Sequence, residues 1–118
     1  MKNVYEMEFL GVNPLLDISM RVYLGFGVLI DRDLKIFECI PVGDGKVFKD
    51  IVKSELSQSP RILGRISPNR EHVVDVTYQA RGEEGGIEWR NLTVTLVDLG
   101  AAKALHDYSR VGESNASE

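Results

Sequence analysis

Residues 72–81 alternate between apolar and polar side chains more regularly than any other part of the chain. This period of two predicts a strand with one buried face. A glycine-rich turn at 82–86 and a second strand-like segment at 87–99 follow. Together they predict an antiparallel hairpin, and its apolar face requires a covering layer, most simply a helix.

Three more strands are predicted near the start of the chain, at residues 4–12, 18–30 and 34–42. The polar residues 31–33 predict the tight turn of a hairpin between the last two strands. Gly25 and Gly27 interrupt the long second strand, and a glycine inside a strand often marks a bulge or a bend.

An amphipathic helix is predicted from Lys46 onward, because apolar residues recur there at three- and four-residue spacing. Residues 57–60 end it with a proline. A short strand at 61–66 and a last short helix at 101–108 complete the pattern.

The order β-β-β-α-β-β-β-α predicts a single α+β domain over residues 1–111. Its sheet is expected to be mainly antiparallel, with five to six strands, and to have one face covered by a helix, in two layers. Residues 112–118 are small and polar and predict a disordered tail.

Composition narrows the function classes. The formal net charge of −4 argues against binding nucleic acid through bulk charge. A single cysteine, Cys39, excludes an internal disulfide and fits a reducing compartment. Glutamates near the N-terminus argue against a signal peptide, and the longest apolar run, at 22–30, is too short to span a bilayer. We therefore expect a cytoplasmic protein outside the membrane.

The loop that precedes the first helix contains glycines and a lysine, as phosphate-binding loops do. A Walker A loop would require glycine where Ile40 stands and serine or threonine where Val47 stands. One of three hypotheses is an enzyme or an anion- or small-ligand-binding domain with its site near Gly43–Lys46, because helix N-termini attract anions. The alternative is an ordinary turn with Asp44 as the helix cap.

Catalytic and metal-binding chemistry has little support in the sequence. Cys39, His72 and His106 lack any recognisable signature or ligand spacing, and Cys39 stands in a strand where a buried structural thiol is expected. We predict no cofactor, no metal site and a non-enzymatic protein.

Trp89 suggests a contact surface. Strict alternation in the last strand places it opposite the apolar face, beside polar residues, and an exposed tryptophan there is typical of an interface anchor. The alternative is a bulge that returns Trp89 to the core. We predict a regulatory, protein-binding module, as a homodimer or with a protein partner, whose contact residues are Trp89, Arg90, Tyr78, Arg81 and Gln79.

A second hypothesis is a DNA- or RNA-binding regulator, because segment 46–70 is locally basic. The cations are Lys46, Lys49, Lys53, Arg61, Arg65 and Arg70. The segment VYEMEFLGVN is followed by a long hairpin and then by GDGKVF. In these features the start of the chain also resembles that of the stage V sporulation protein G family, which implies nucleic-acid binding. The hairpin at 72–99 departs from that pattern, so the resemblance does not assign the chain to that family.

Overall fold

The computed structural model describes residues 3–105. In chain order its elements are β1 (Val4–Val12), β2 (Ile18–Gly25), β3 (Val28–Ile36), β4 (Cys39–Pro41), α1 (Lys46–Ser57), β5 (Ile62–Ser67), β6 (Arg70–Arg81), β7 (Ile87–Asn91), α2 (Leu92–Asp98) and β8 (Ala102–Ala104). The α+β class predicted from the sequence is confirmed.

Five strands close into a barrel. They pair in the order β3-β2-β1-β5-β6, and a short parallel pairing of β3 with β6 closes the ring at Lys35–Val73 and Ile36–Val74. The sheet is therefore mixed, and the expected two-layer arrangement and strand order match only in part. The reason is that closure joins strands far apart in sequence, and no local periodicity encodes such a pairing.

Two smaller pairings extend the barrel. β7 continues the sheet beyond β6, and β4 pairs with β8 in a separate two-stranded sheet. The chain order is a meander of three strands, then a helix, then the β5–β6 hairpin, which pairs with β1 and β3. OB-fold barrels have this connectivity. The topology alone does not assign a function.

The core lies inside the barrel and beneath the helices. β2 contributes Ile18, Met20 and Val22, which are all buried. α1 buries Phe48 and Val52 on its inner stripe, as its predicted amphipathicity requires. The helix begins after Gly45, and Asp44 accepts a hydrogen bond from the backbone N of Lys46 at 3.0 Å without being the cap residue.

The turn of the β2–β3 hairpin lies at a different place from the predicted turn. Gly25 pairs with Val28, so the loop consists of Phe26 and Gly27, both with positive φ (55° and 78°). Two-residue loops of this kind require positive φ, and Gly27 supplies it without steric cost. The expected turn at 31–33 lies inside β3, where Asp31 pairs with Arg21 across the ladder.

The predicted strand at 87–99 is also wrong beyond Asn91, where α2 begins. The Asn91 side chain accepts a hydrogen bond from the backbone N of Val94 and caps the helix. Leu92 and Leu96, four residues apart, are both fully buried on one helix face. In the predicted last helix at 101–108, residues 102–104 form β8, while residues 106–108 and the predicted tail at 112–118 lie outside the described residues.

Candidate functional site

The outer face of β5, β6 and β7 brings together side chains from three strands. Register places Gln79 opposite Trp89 and Leu63 opposite Thr77, and residues opposite one another share a face. We call this surface the Trp89 face. It comprises Trp89, Gln79, Thr77, Leu63 and Arg61.

Trp89 is 43% exposed, so the alternative in which it returns to the core is excluded. The Arg61 guanidinium carbon lies 5.7 Å from the centroid of the indole ring, within the range of a cation–π contact. Arg61 also forms an ion pair with Glu6 on β1. The indole therefore contacts the Arg61 guanidinium while part of its surface stays open to solvent.

β7 carries Trp89 at an open edge of the sheet. Among residues 3–105, β7 pairs with β6 alone, so its other side presents unpaired backbone groups. Ile87, at the start of this strand, is 59% exposed. Exposed apolar side chains along an unpaired edge make β7 able to accept an additional strand.

Two of the predicted contact residues, Tyr78 and Arg90, lie on the opposite face of the hairpin from Trp89, toward α1. Tyr78 is fully buried, and its Oη donates to Glu55 Oε1 at 2.8 Å. Arg90 approaches the same carboxylate oxygen at 3.6 Å and bonds to Glu88 at 2.6 Å. Burial is the main cause that raises the pKa of Tyr78 to about 12. The pair therefore links β6 and β7 to α1, and Tyr78 offers no surface to a partner.

Arg81 is exposed beside the turn that joins β6 to β7. With Gln79 and Arg90 it lines a cleft of about 360 Å³ between this hairpin and the end of α1, where Glu55 supplies a carboxylate. Four of the five predicted contact residues thus lie on the same hairpin surface or along this cleft, and Tyr78 is the exception.

The structure does not gather the basic residues of segment 46–70. Lys46, Lys49 and Lys53 lie on α1, where Lys46 pairs with Asp50 at 3.2 Å. Arg61 lies just before β5 and pairs with Glu6, and Arg65 lies on β5 opposite Asp75 in the ladder. Arg70 begins β6 and bonds to Glu38 at 3.3 Å. The cations therefore occupy three separate surfaces, most of them with carboxylates close by.

The loop at Gly43–Lys46 has no cleft of its own among those described. A neighbouring cleft of about 240 Å³ is lined by Pro41 and Phe48, but none of residues 43–46 lines it. The lysine of the loop is already paired with Asp50. The anion or small-ligand site predicted there has no support from this geometry.

Of the residues considered for catalysis, the structure describes Cys39 and His72. Burial raises the pKa of the Cys39 thiol to about 11, and His72 lies exposed in β6, while His106 is outside the described residues. Over residues 3–105 no three His, Cys, Asp or Glu side chains could share a metal ion.

The outer face of β1, β2 and β3 is rich in carboxylates that already have partners. Asp31 binds Arg21 at 2.9 Å, Asp33 accepts from Ser19 at 2.6 Å, and Glu8 accepts from the Tyr23 hydroxyl at 3.0 Å. OB-fold barrels bind oligonucleotides through the face of their second and third strands. Here the carboxylates of that face are engaged by side chains of the same strands.

Comparisons with protein families, curated proteins and solved structures find no match to this chain. No helix within the described range is long and apolar enough to cross a bilayer.

Proposed function

We propose that the chain is a non-enzymatic, regulatory protein-binding module that recognises an extended segment of a protein partner. The segment adds a strand to the open edge of β7 and packs a side chain against the exposed face of Trp89. One observation carries the proposal. Trp89 is exposed at an unpaired sheet edge and is already oriented by Arg61.

Charge favours a protein partner over nucleic acid. Arg61, the cation in contact with Trp89, is paired with Glu6, so the Trp89 face is close to neutral. Nucleic-acid binding through stacking also needs a continuous positive groove along the backbone, and the basic residues are dispersed. The proposal includes a cytoplasmic location, which the single cysteine Cys39 supports.

Selection from a phage-displayed library of random peptides on the immobilised chain tests the proposal. We expect enriched peptides of high β propensity whose affinity falls at least about tenfold on Trp89→Ala, because an interface tryptophan typically contributes more than about 1.4 kcal/mol. Val94→Ala is the matched control, because Val94 is an exposed apolar residue on α2. It should leave the affinity unchanged.

Two results would count against this function. Peptides that bind wild type and Trp89→Ala equally would remove the Trp89 face from the contact. A mixed pool of short DNA and RNA that binds at low salt and is released at high salt would favour the nucleic-acid alternative, since counterion release makes such binding salt-dependent.

A further inference from the structure

The tip of the β2–β3 hairpin exposes several large apolar side chains. Residues 22–30 contain no charged side chain, and Phe26 at the apex is fully exposed. The other exposed apolar residues of the tip are Tyr23, Leu24, Val28 and Leu29. Isolated apolar residues at a surface are ordinary, but a contiguous patch marks an interaction site.

One edge of this hairpin is also open. β3 pairs with β2 along its length on one side, but on the other side only Lys35 and Ile36 pair with β6. The backbone from Val28 to Asp33 therefore has a free edge within the described part of the chain. An exposed, apolar and unpaired edge is a template for pairing with another strand.

We infer that this edge pairs with the same edge of a second copy of the chain, in an antiparallel β3–β3 ladder. With Leu29 on the two-fold axis, it lies opposite its own copy, and Val28 lies opposite Ile30 of the second chain. Leu29 shares a face with Tyr23, while Ile30 shares the other face with Val22. The pairing thus brings apolar side chains together on both faces of the new ladder.

Charge disfavours the registers that are centred further toward the C-terminal end of β3. A ladder centred on Asp31 would place two aspartates opposite each other, and a ladder centred on Arg32 would place two arginines opposite each other. Like charges in opposite positions destabilise a ladder. Centring on Ile30 would place Leu29 opposite Asp31. With Leu29 at the centre, Arg32 lies beside the Phe26 of the second chain, where a cation–π contact is available. The contact is isologous and closes as a dimer.

Light scattering coupled to size exclusion, over a range of concentrations, tests the dimer. We expect wild type to form dimers and Leu29→Lys to be monomeric with an unchanged circular dichroism spectrum, because the substitution places two ammonium groups opposite each other. Leu99→Lys is the control, since Leu99 is an exposed leucine at the end of α2, outside the β2–β3 hairpin. This variant should remain dimeric. A monomeric wild type, or a Leu29→Lys variant that still dimerises, would overturn the inference.

Cross-linking tests the register in a Cys39→Ser background. Leu29→Cys should form a covalent dimer on mild oxidation, since directly opposite Cα atoms are about 4.5–5.5 Å apart, within disulfide range. Asp31→Cys should not, because its two copies are offset by four residues, about 13 Å. Asp31 is an exposed ion-pair residue, so this change has little effect on stability. Equal cross-linking of both variants would reject the register.

A lipid surface is the competing occupant of the tip. Phosphatidylcholine vesicles that bind monomeric wild type but not Leu29→Lys would assign the tip to membrane contact and overturn the dimer. The inference does not rest on the proposed peptide site. Trp89→Ala should stay dimeric while losing its peptides, so either proposal can fail alone.

Discussion

At the scale of single residues, the hydroxyl of Tyr78 connects β6 to both helices. It donates to Glu55 of α1 and lies 3.0 Å from Thr95 Oγ1 of α2. We expect Tyr78→Phe to lower the free energy of unfolding by about 1.5–3 kcal/mol, because the hydrogen bond is to a charged group in a buried site. Urea denaturation measures this. Tyr23→Phe is the control, since the Tyr23 hydroxyl bonds to exposed Glu8, and should change stability by less than about 0.5 kcal/mol.

The same residue makes stability depend on alkaline pH. Burial raises the pKa of Tyr78 from 10.0 to about 12, so above pH 10 the unfolded chain releases a proton that the folded chain retains. Stability therefore falls as pH rises from about 10 to 12, by up to about 1.4 kcal/mol per pH unit from this group. Wild type and Tyr78→Phe should converge in stability over this range. A constant difference between them would contradict the assignment.

A second shielded group, the half-buried Cys39, should be poorly reactive. Burial raises the pKa of its thiol from 9.0 to about 11, and only the thiolate is nucleophilic. At pH 8 we expect iodoacetamide to label the folded chain roughly 100-fold more slowly than the chain in urea, in proportion to the thiolate fraction. Equal rates in the two states, followed by mass spectrometry, would show that the thiol is accessible and ordinary.

At the scale of elements, Asn91 decides where β7 ends and α2 begins. Its Oδ1 accepts from the backbone N of Val94, and its Nδ2 donates to Asp75 at 2.8 Å. We expect Asn91→Ala to lower the unfolding free energy by about 1–2 kcal/mol, as the loss of a helix cap typically does. Asn69→Ala, in the exposed β5–β6 turn, should be nearly neutral. A similar loss in both variants would deny Asn91 a capping role.

The elements also show how far the sequence determines local structure. α1, β1 and the core of β6 were predicted because their apolar spacing fits one period only. The segment 92–98 was not, since Leu92, Val94 and Leu96 alternate like a strand while Leu92 and Leu96 also fit one helix face. Asn91 before this segment is the signal that favours the helix. In the β2–β3 hairpin, a glycine inside an apolar run favours a bulge at Gly27, although a glycine with positive φ is what a two-residue turn requires.

The site was predictable only where it depends on one hairpin. Alternation placed Trp89 with Gln79 on an outer face, and the register confirms that they lie opposite each other. The position of Arg61 over the indole ring depends on β5 lying next to β6, a tertiary contact that single-strand periodicity cannot specify. The dispersal of the basic residues could not be predicted for the same reason. Which side chains meet in space depends on how the barrel closes, and local periodicity does not specify that closure.

At the scale of the whole molecule, β6 is shared by the barrel and by the β7–α2 part of the structure. Its start pairs with β3 and its end pairs with β7, so neither part can retain its pairing if β6 is lost. Both should therefore unfold in one cooperative transition.

Val76→Ala tests this cooperativity. Val76 is fully buried in the middle of β6, and removing its two methyl groups should lower the unfolding free energy by about 1.5–3 kcal/mol. If the molecule is one unit, amide hydrogen exchange at β2 and at α2 should lose protection by the same amount, because both exchange through global unfolding. A loss confined to β7 and α2 would show instead that the barrel is stable alone. In that case the Trp89 face would belong to a part of the chain that unfolds independently of the barrel. The affinity for a partner would then depend on how often that part is unfolded.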